Sequence, residues 1–415
     1  MMLKKVTEGY LRIMVCGLSI CALAVCFCGA AGAADWPHWR GPDYNGISNE
    51  TGWTAAWPED GPKVLWQAEL GTGFASMAVS KGRVYAMGNI DDNDILYCFD
   101  AKTGSRIWKK SYPCPLYPKM HEGGPCATPT VDGDAVYTFS KNGDAIRFNA
   151  ETGEIVWHKN LSKELGVKPP EWYFAGSPLP AGDLVIFNAG TYGTALNKTD
   201  GRIVWQNGKE AGGYATGVPF SIGGRPCVAM LVCREFVGLN PATGEVLWKI
   251  PWKTSYDINA ADTIVSGDKV FISSGYNKGC SLYKIAGDNL TEIWQNKNMR
   301  NQVNSSVLWK GHLYGFDGDV GGRGKLACVN FENGEIRWSQ DGMGTGSLML
   351  ADGKLIILGE SGKLVIAEAS PQKYQELASA QILTGKCWTV PVLANGRIYA
   401  RNAGGRLVCL DVSGG

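Results

Sequence analysis

Proton-transfer chemistry in this chain would fall first to His121 and Glu122, adjacent residues in the Gly-rich loop from Tyr112 to Pro125. A histidine beside a carboxylate is the pairing that takes up and returns a proton near neutral pH. No partner for covalent chemistry accompanies it: a Gly-x-Ser-x-Gly nucleophile turn is missing, so an activated serine has no motif. The four histidines are scattered and no Cys-x-x-Cys occurs, which leaves zinc without its ligand spacing, and no metal site is expected. We therefore assign no catalytic residue and read His121 and Glu122 as part of a binding mouth.

Binding needs rings to stack and a few placed polar groups, and the irregular loops carry both. One loop holds Trp172, Tyr173 and Phe174; a second holds Tyr256, Asn259 and Asp262; a third runs from Asn298 to Asn304. Phe74, Phe174, Asn259 and Trp388 each stand eight residues before a glycine turn, so they are expected to project alike, toward one axial mouth. The candidate ligand-binding set is thus Phe74, His121, Glu122, Trp172, Phe174, Tyr256, Asn259, Asp262, Asn304 and Trp388. The plainer outcome is that polar loops bond their own backbone and aromatic residues plug the mouth.

The elements that must position these loops are repeats. Trp66, Trp108, Trp157, Trp205, Trp248, Trp294 and Trp338 are spaced by 42, 49, 48, 43, 46 and 44 residues. The clearest copies read Phe99-Asp100-Ala101-Lys102-Thr103-Gly104-Ser105-Arg106-Ile107-Trp108 and Phe148-Asn149-Ala150-Glu151-Thr152-Gly153-Glu154-Ile155-Val156-Trp157. Short alternating strands at such a period predict a β-propeller with one four-stranded antiparallel blade per repeat. Eight glycine-turn strands, from Gly82–Tyr85 to Gly396–Tyr399, give eight blades. The last copy ends at Leu407-Val408-Cys409-Leu410-Asp411 without a tryptophan strand, and Lys63-Val64-Leu65-Trp66 is a tryptophan strand without a blade. The N-terminal strand is therefore expected to close the ring, which leaves no open edge. Tryptophans at equivalent positions are read as packing residues. The seventh copy lacks both Thr-Gly and tryptophan, with Tyr374 or a neighbour expected in the slot; the fifth replaces Thr-Gly with Gly287-Asp288-Asn289-Leu290.

Residues 1–34 read as a secretory signal peptide: Lys4, Lys5 and Arg12, then an apolar run to Cys28, then Ala31-Gly32-Ala33. Lipidation is disfavoured by Ile20, Val25 and Phe27 before Cys21, Cys26 and Cys28. Residues 35–62 form a lead-in expected along the outside or one face, and 63–415 the propeller. With 40 basic and 39 acidic residues the net charge is +1, giving no electrostatic case for nucleic acid or an anionic membrane surface. Of 13 cysteines, nine lie beyond the signal. Cys98, Cys328 and Cys409 share one apolar repeat position and read as core; Cys114 and Cys126, flanking one loop, are the best disulfide candidate.

The Asp/Asn-x-x-Thr-Gly-x-x-x-Trp repeat resembles that of pyrroloquinoline-quinone (PQQ) type propellers, over about Lys63 to Val412. One branch of that group, the quinoprotein alcohol dehydrogenases, implies PQQ with calcium, and Glu122, Asn259, Asp262 and Asn304 are the residues available to such an ion. Those enzymes are longer and carry adjacent cysteines over the quinone, and no two cysteines are adjacent here. The other branch, the propeller lipoprotein of the outer-membrane β-barrel assembly machinery, implies no cofactor. The expected function is an exported, non-enzymatic binding or scaffold propeller of the periplasm or envelope. It is expected to be monomeric and to meet a protein partner or small ligand on its loop face, touching membrane only through its signal peptide. PQQ-dependent oxidoreduction is the alternative.

Overall fold

The computed structural model describes residues 34–119, 121–322 and 324–414; the expected signal peptide lies outside them. Eight four-stranded antiparallel meanders make an eight-bladed β-propeller. Blade 1 runs through Ala78–Ser80, Arg83–Ile90, Asn93–Asp100 and Arg106–Pro113, blade 2 through Thr130–Asp132, Ala135–Phe139, Asp144–Asn149 and Ile155–Asn160. Blades 3 to 7 follow at the repeat spacing, the first strands being Leu179–Ala181, Val218–Ile222, Ile264–Ser266, Val307–Trp309 and Ser347–Ala351. Blade 8 takes Val392–Ala394, Arg397–Arg401 and Arg406–Asp411 from the C-terminus and Val64–Glu69 from the N-terminus, with Trp66 opposite Cys409. The ring is closed by the N-terminal strand.

The repeat motif explains its own geometry. Asp100 ends the third strand, and its Oδ1 accepts the amides of Lys102 (3.0 Å) and Thr103 (2.8 Å) and the Thr103 hydroxyl (2.9 Å). Asn149 does the same for Glu151 and Thr152, and Asn330 for Glu332 and Asn333. These side chains turn the backbone toward a glycine at positive φ, +71° at Gly104 and +72° at Gly153. Glycine is required there for a second reason. A Cβ on Gly104 would lie 2.5 Å from the Trp66 ring, and one on Gly153 would lie 2.7 Å from Trp108, so each turn rests on the indole of the preceding blade. The indole N–H completes the contact by donating to a carbonyl of the following blade: Trp66 to Ala101 (3.0 Å), Trp108 to Ala150 (3.3 Å), Trp157 to Lys198 (2.9 Å), Trp205 to Pro241 (2.9 Å), Trp294 to Phe331 (3.0 Å) and Trp338 to Ser370 (2.8 Å).

The departures fall where the motif fails. Trp248 faces the fifth copy, which lacks Thr-Gly, and it makes no such bond among the described residues; it packs on Phe236 of its own blade, ring centroids 4.9 Å apart. In blade 7, Ala378 pairs with Ile366 at the bulge register where Trp338 pairs with Cys328 in blade 6. Ala378 thus holds the tryptophan position, contrary to the expectation for Tyr374, which instead lies edge-on to Trp338 at 5.8 Å.

Of the two placements expected for the lead-in, the outside or one face, residues 35–54 take one face. They run across the end of the axial channel where the glycine turns lie, touching first strands in ring order. Trp36 exchanges backbone bonds with Val79, Pro37 O accepts from Val131, and Ile47–Ser48 adds a parallel strand beside Leu350–Ala351. Glu50 accepts the amides of Asn395 (2.6 Å) and Gly396, and Thr54 N donates to Val412 O. Trp36, His38 and Arg40 are buried. The turn end of the channel is crossed by the chain's own segment, which leaves a cavity of about 450 Å³ against blades 1 to 3.

Candidate functional site

The opposite end of the channel is the loop face, where the chain enters each first strand. A belt of hydrogen bonds sets its floor. Ser76 N donates to Thr128 Oγ1 (3.0 Å), Thr128 N to Ser177 Oγ (2.9 Å), Ser177 N to Thr216 Oγ1 (2.9 Å), Thr216 N to Asp262 Oδ1 (2.7 Å), and Asp262 N to Ser305 Oγ (2.8 Å). Asp262 fills a belt position that its neighbours give to Ser or Thr. Its second oxygen accepts Trp39 Nε1 (2.5 Å) and faces the Arg40 guanidinium at 4.0 Å. Burial raises the Asp262 carboxyl above its ordinary value, and Arg40 opposes that rise. Asp262 therefore ties the lead-in to the belt and is not open to the mouth.

Four of the expected residues meet above the belt. Phe74 stacks with Trp388 (5.4 Å), His121 meets Phe74 edge-on (5.2 Å), and Trp172 lies against His121 (5.7 Å). This arc of partly exposed rings spans the loops entering blades 8, 1, 2 and 3. Lys386 sits over Trp388 (4.4 Å) and Lys119 over Trp172 (5.3 Å), covering one face of each. Glu122 pairs with Lys386 at 2.9 Å; burial raises its carboxyl, but the ammonium outweighs that and lowers it. His121 is lowered to about 4 by burial, with Lys141 and Lys386 adding to the shift against Glu122. Its Nδ1 accepts the Gly123 amide (3.0 Å), so the ring is held neutral with its proton on Nε2.

The other expected residues lie apart. Phe174 is buried against Phe139 (4.9 Å), which in turn meets Phe187 (4.9 Å), in the core of blades 2 and 3. Asn259 is fully buried, donating to the carbonyls of Val232, Cys233 and Trp252 and accepting the Ser274 hydroxyl (2.7 Å). Asn304 donates to Gly346 O (3.2 Å) and Trp388 O (3.0 Å), bracing the mouth from blade 6. Tyr256 stands 62% exposed over blades 4 and 5. Cys114 and Cys126 are both free thiols, which corrects the disulfide expectation: Cys114 is buried, and Cys126 donates to Gly124 O. Sequence reasoning missed the Arg40–Asp262 pair and a groove over blades 3 and 4, since neither has a periodic signature.

The family described as outer membrane protein assembly factor BamB, built on the PQQ-like repeat, matches residues 91–340, more than half of the chain. The chain belongs to this family. The BamB of Yersinia pestis is 23% identical over 354 residues, 79% of this chain and 82% of that protein. The BamB of Shewanella oneidensis is 22% identical, across 74% and 88%. The crystal structure of BamB from Moraxella catarrhalis superposes with a TM-score of 0.62 at 16% identity, covering 84% of this chain and 99% of that one. The quinohemoprotein alcohol dehydrogenase of Comamonas testosteroni shares the fold with a TM-score of 0.66 at 14% identity, over 92% and 81%.

Residues available to a calcium–quinone pair do not fit one here. Asn259 has all its polar atoms committed, Asp262 is spent on Trp39, Thr216, Ser305 and Arg40, Asn304 braces two carbonyls, and Glu122 is paired with Lys386. Among the described residues, no cluster of three His, Cys, Asp or Glu could hold a metal ion.

Proposed function

We propose that this member of the family is an exported, non-enzymatic scaffold of the periplasm or cell envelope that holds a protein partner on its loop face. One observation carries the choice of face: residues 35–54 cross the turn end of the channel, while the loop end presents the arc of Phe74, His121, Trp172 and Trp388, with Glu122 beside it and Tyr256 farther round the same face. Aromatic residues that are half exposed and flanked by ion pairs suit a protein interface. The names of the Yersinia and Shewanella relatives, both outer membrane assembly factors, support an envelope role. His121 is neutral and without a nucleophile, which favours binding over proton transfer, and the reading requires no cofactor.

A photo-crosslinking residue placed at Trp172 or Tyr256, on the loop face, is expected to capture a partner in intact cells. The same group at Lys81 or Glu151, on the turn face, is expected to capture none. Adducts confined to the turn face would reverse the assignment.

A further inference from the structure

Beside the mouth, over blades 3 and 4, the loops enclose a groove of about 420 Å³. It joins the arc directly, because Trp172 N donates to the Tyr214 hydroxyl (3.3 Å) on its wall. We infer that this groove docks an extended, basic segment of the protein partner, taking arginine or lysine side chains among its tyrosines and carboxylates. The inference rests on the loop-face reading above.

Charge carries the argument. In a chain of net charge +1, four of the lining residues are Glu171, Glu210, Glu235 and Asp257, against a single lining cation, Arg234. The groove already collects the protein's own cations. Arg234 binds Asp257 (2.7 Å), Lys168 binds Glu210 (2.9 Å) and Lys249 reaches Glu235 (3.5 Å). Lys249 also shows the geometry a ligand would use, donating to the Tyr192 hydroxyl (3.0 Å) while lying 5.1 Å from that ring's centre. Each of these pairs has at least one solvent-exposed partner, so they are weak and an incoming guanidinium can exchange with them. Glu171 is left over: among the described residues no cation comes within 4.0 Å of its carboxylate, and Lys119 donates only to its backbone carbonyl (2.9 Å). Tyr256, 62% exposed, stands at the rim with one edge on Tyr276 (5.3 Å). A volume of this size accepts a few side chains, not a folded domain, which selects an extended segment.

The test uses the purified full-length mature chain and a fluorescent eight-residue peptide alternating arginine and valine, followed by anisotropy. Binding is expected, with no binding of the peptide carrying glutamate in place of arginine. Glu171→Gln combined with Glu235→Gln should weaken it about tenfold, each exposed charge contributing a few-fold, whereas Glu151→Gln on the turn face should leave it unchanged. Thermal melts confirm that the surface variants fold. Equal affinity in the double variant overturns the inference, as does spermidine competing at the peptide's own concentration, since a free cation would then suffice. If the peptide fails while loop-face cross-links still form, the groove is rejected and the loop-face reading stands; if both fail, both fall.

Discussion

Replacing Gly153 by alanine separates the two demands that the repeat places on its glycine. The backbone there has φ +72°, and a Cβ would meet Trp108 at 2.7 Å. An L-residue in the left-handed region costs about 1–2 kcal/mol, and overpacking against a fixed ring adds about 1–3 kcal/mol. The sum is a loss of about 2–5 kcal/mol. Gly133 supplies the control, with φ +64° and nothing within 4 Å of a Cβ, so Gly133→Ala should show only the backbone part. Urea unfolding followed by tryptophan fluorescence and circular dichroism reads both variants. Adding Trp108→Ala to each background tests the cause: the extra cost of Gly153→Ala should vanish once the ring is gone, leaving the two alanine variants alike. If Gly153→Ala is no worse than Gly133→Ala with Trp108 present, the turn is not seated on the indole and the account of blade contact is wrong.

Arg40→Met strands the buried Asp262 carboxylate and should cost about 3–5 kcal/mol; adding Asp262→Ser, which restores the belt residue used by neighbouring blades, should recover most of it in the same unfolding assay. Asp94 is raised from 3.8 to about 6, chiefly by burial, so the folded state holds its proton more tightly than the unfolded chain and stability falls as pH rises from about 4 to 6. Asp94→Asn should remove a slope worth about 3 kcal/mol, seen in the difference between wild type and variant, because His38 and His121, lowered to about 4, contribute stability that is lost as pH falls through the same range. Native alkylation followed by mass spectrometry should label the half-buried Cys126 ahead of the buried Cys114; equal rates would contradict the packing of that loop.

The ring was readable because its determinants are periodic. Asp or Asn, Thr, Gly and Trp at fixed spacing each perform one local task, and the two irregular copies forecast where the contact between blades would change. The mouth was readable only in part. Offset from a glycine turn places a residue along the chain but does not say which way its side chain leaves it, so Phe74 and Trp388 meet while Phe174 turns into the core. Asn259, Asp262 and Asn304 have the composition of ligands, yet Asn259 and Asn304 are consumed by backbone carbonyls, and Asp262 by Trp39, Arg40, Ser305 and one amide, partners that only the folded loops bring near. The lead-in's choice between the outside and one face was not legible, because its partners lie on several blades at separations such as the 223 residues between Trp39 and Asp262.

Closure by the first strand has a kinetic meaning. Arg406 donates to Gln67 across 339 residues, and joining chain ends that far apart costs about 5 kcal/mol of loop entropy before any contact repays it. A chain made from its N-terminus has no partner for Val64–Glu69 until Arg406–Asp411 has been synthesised, so Trp53 and Trp66, which pair with Ser413 and Cys409, must wait in the open while seven blades assemble. The first strand of the ring to be made is the last to be seated, and during that interval the nascent chain is at its most vulnerable to aggregation and proteolysis.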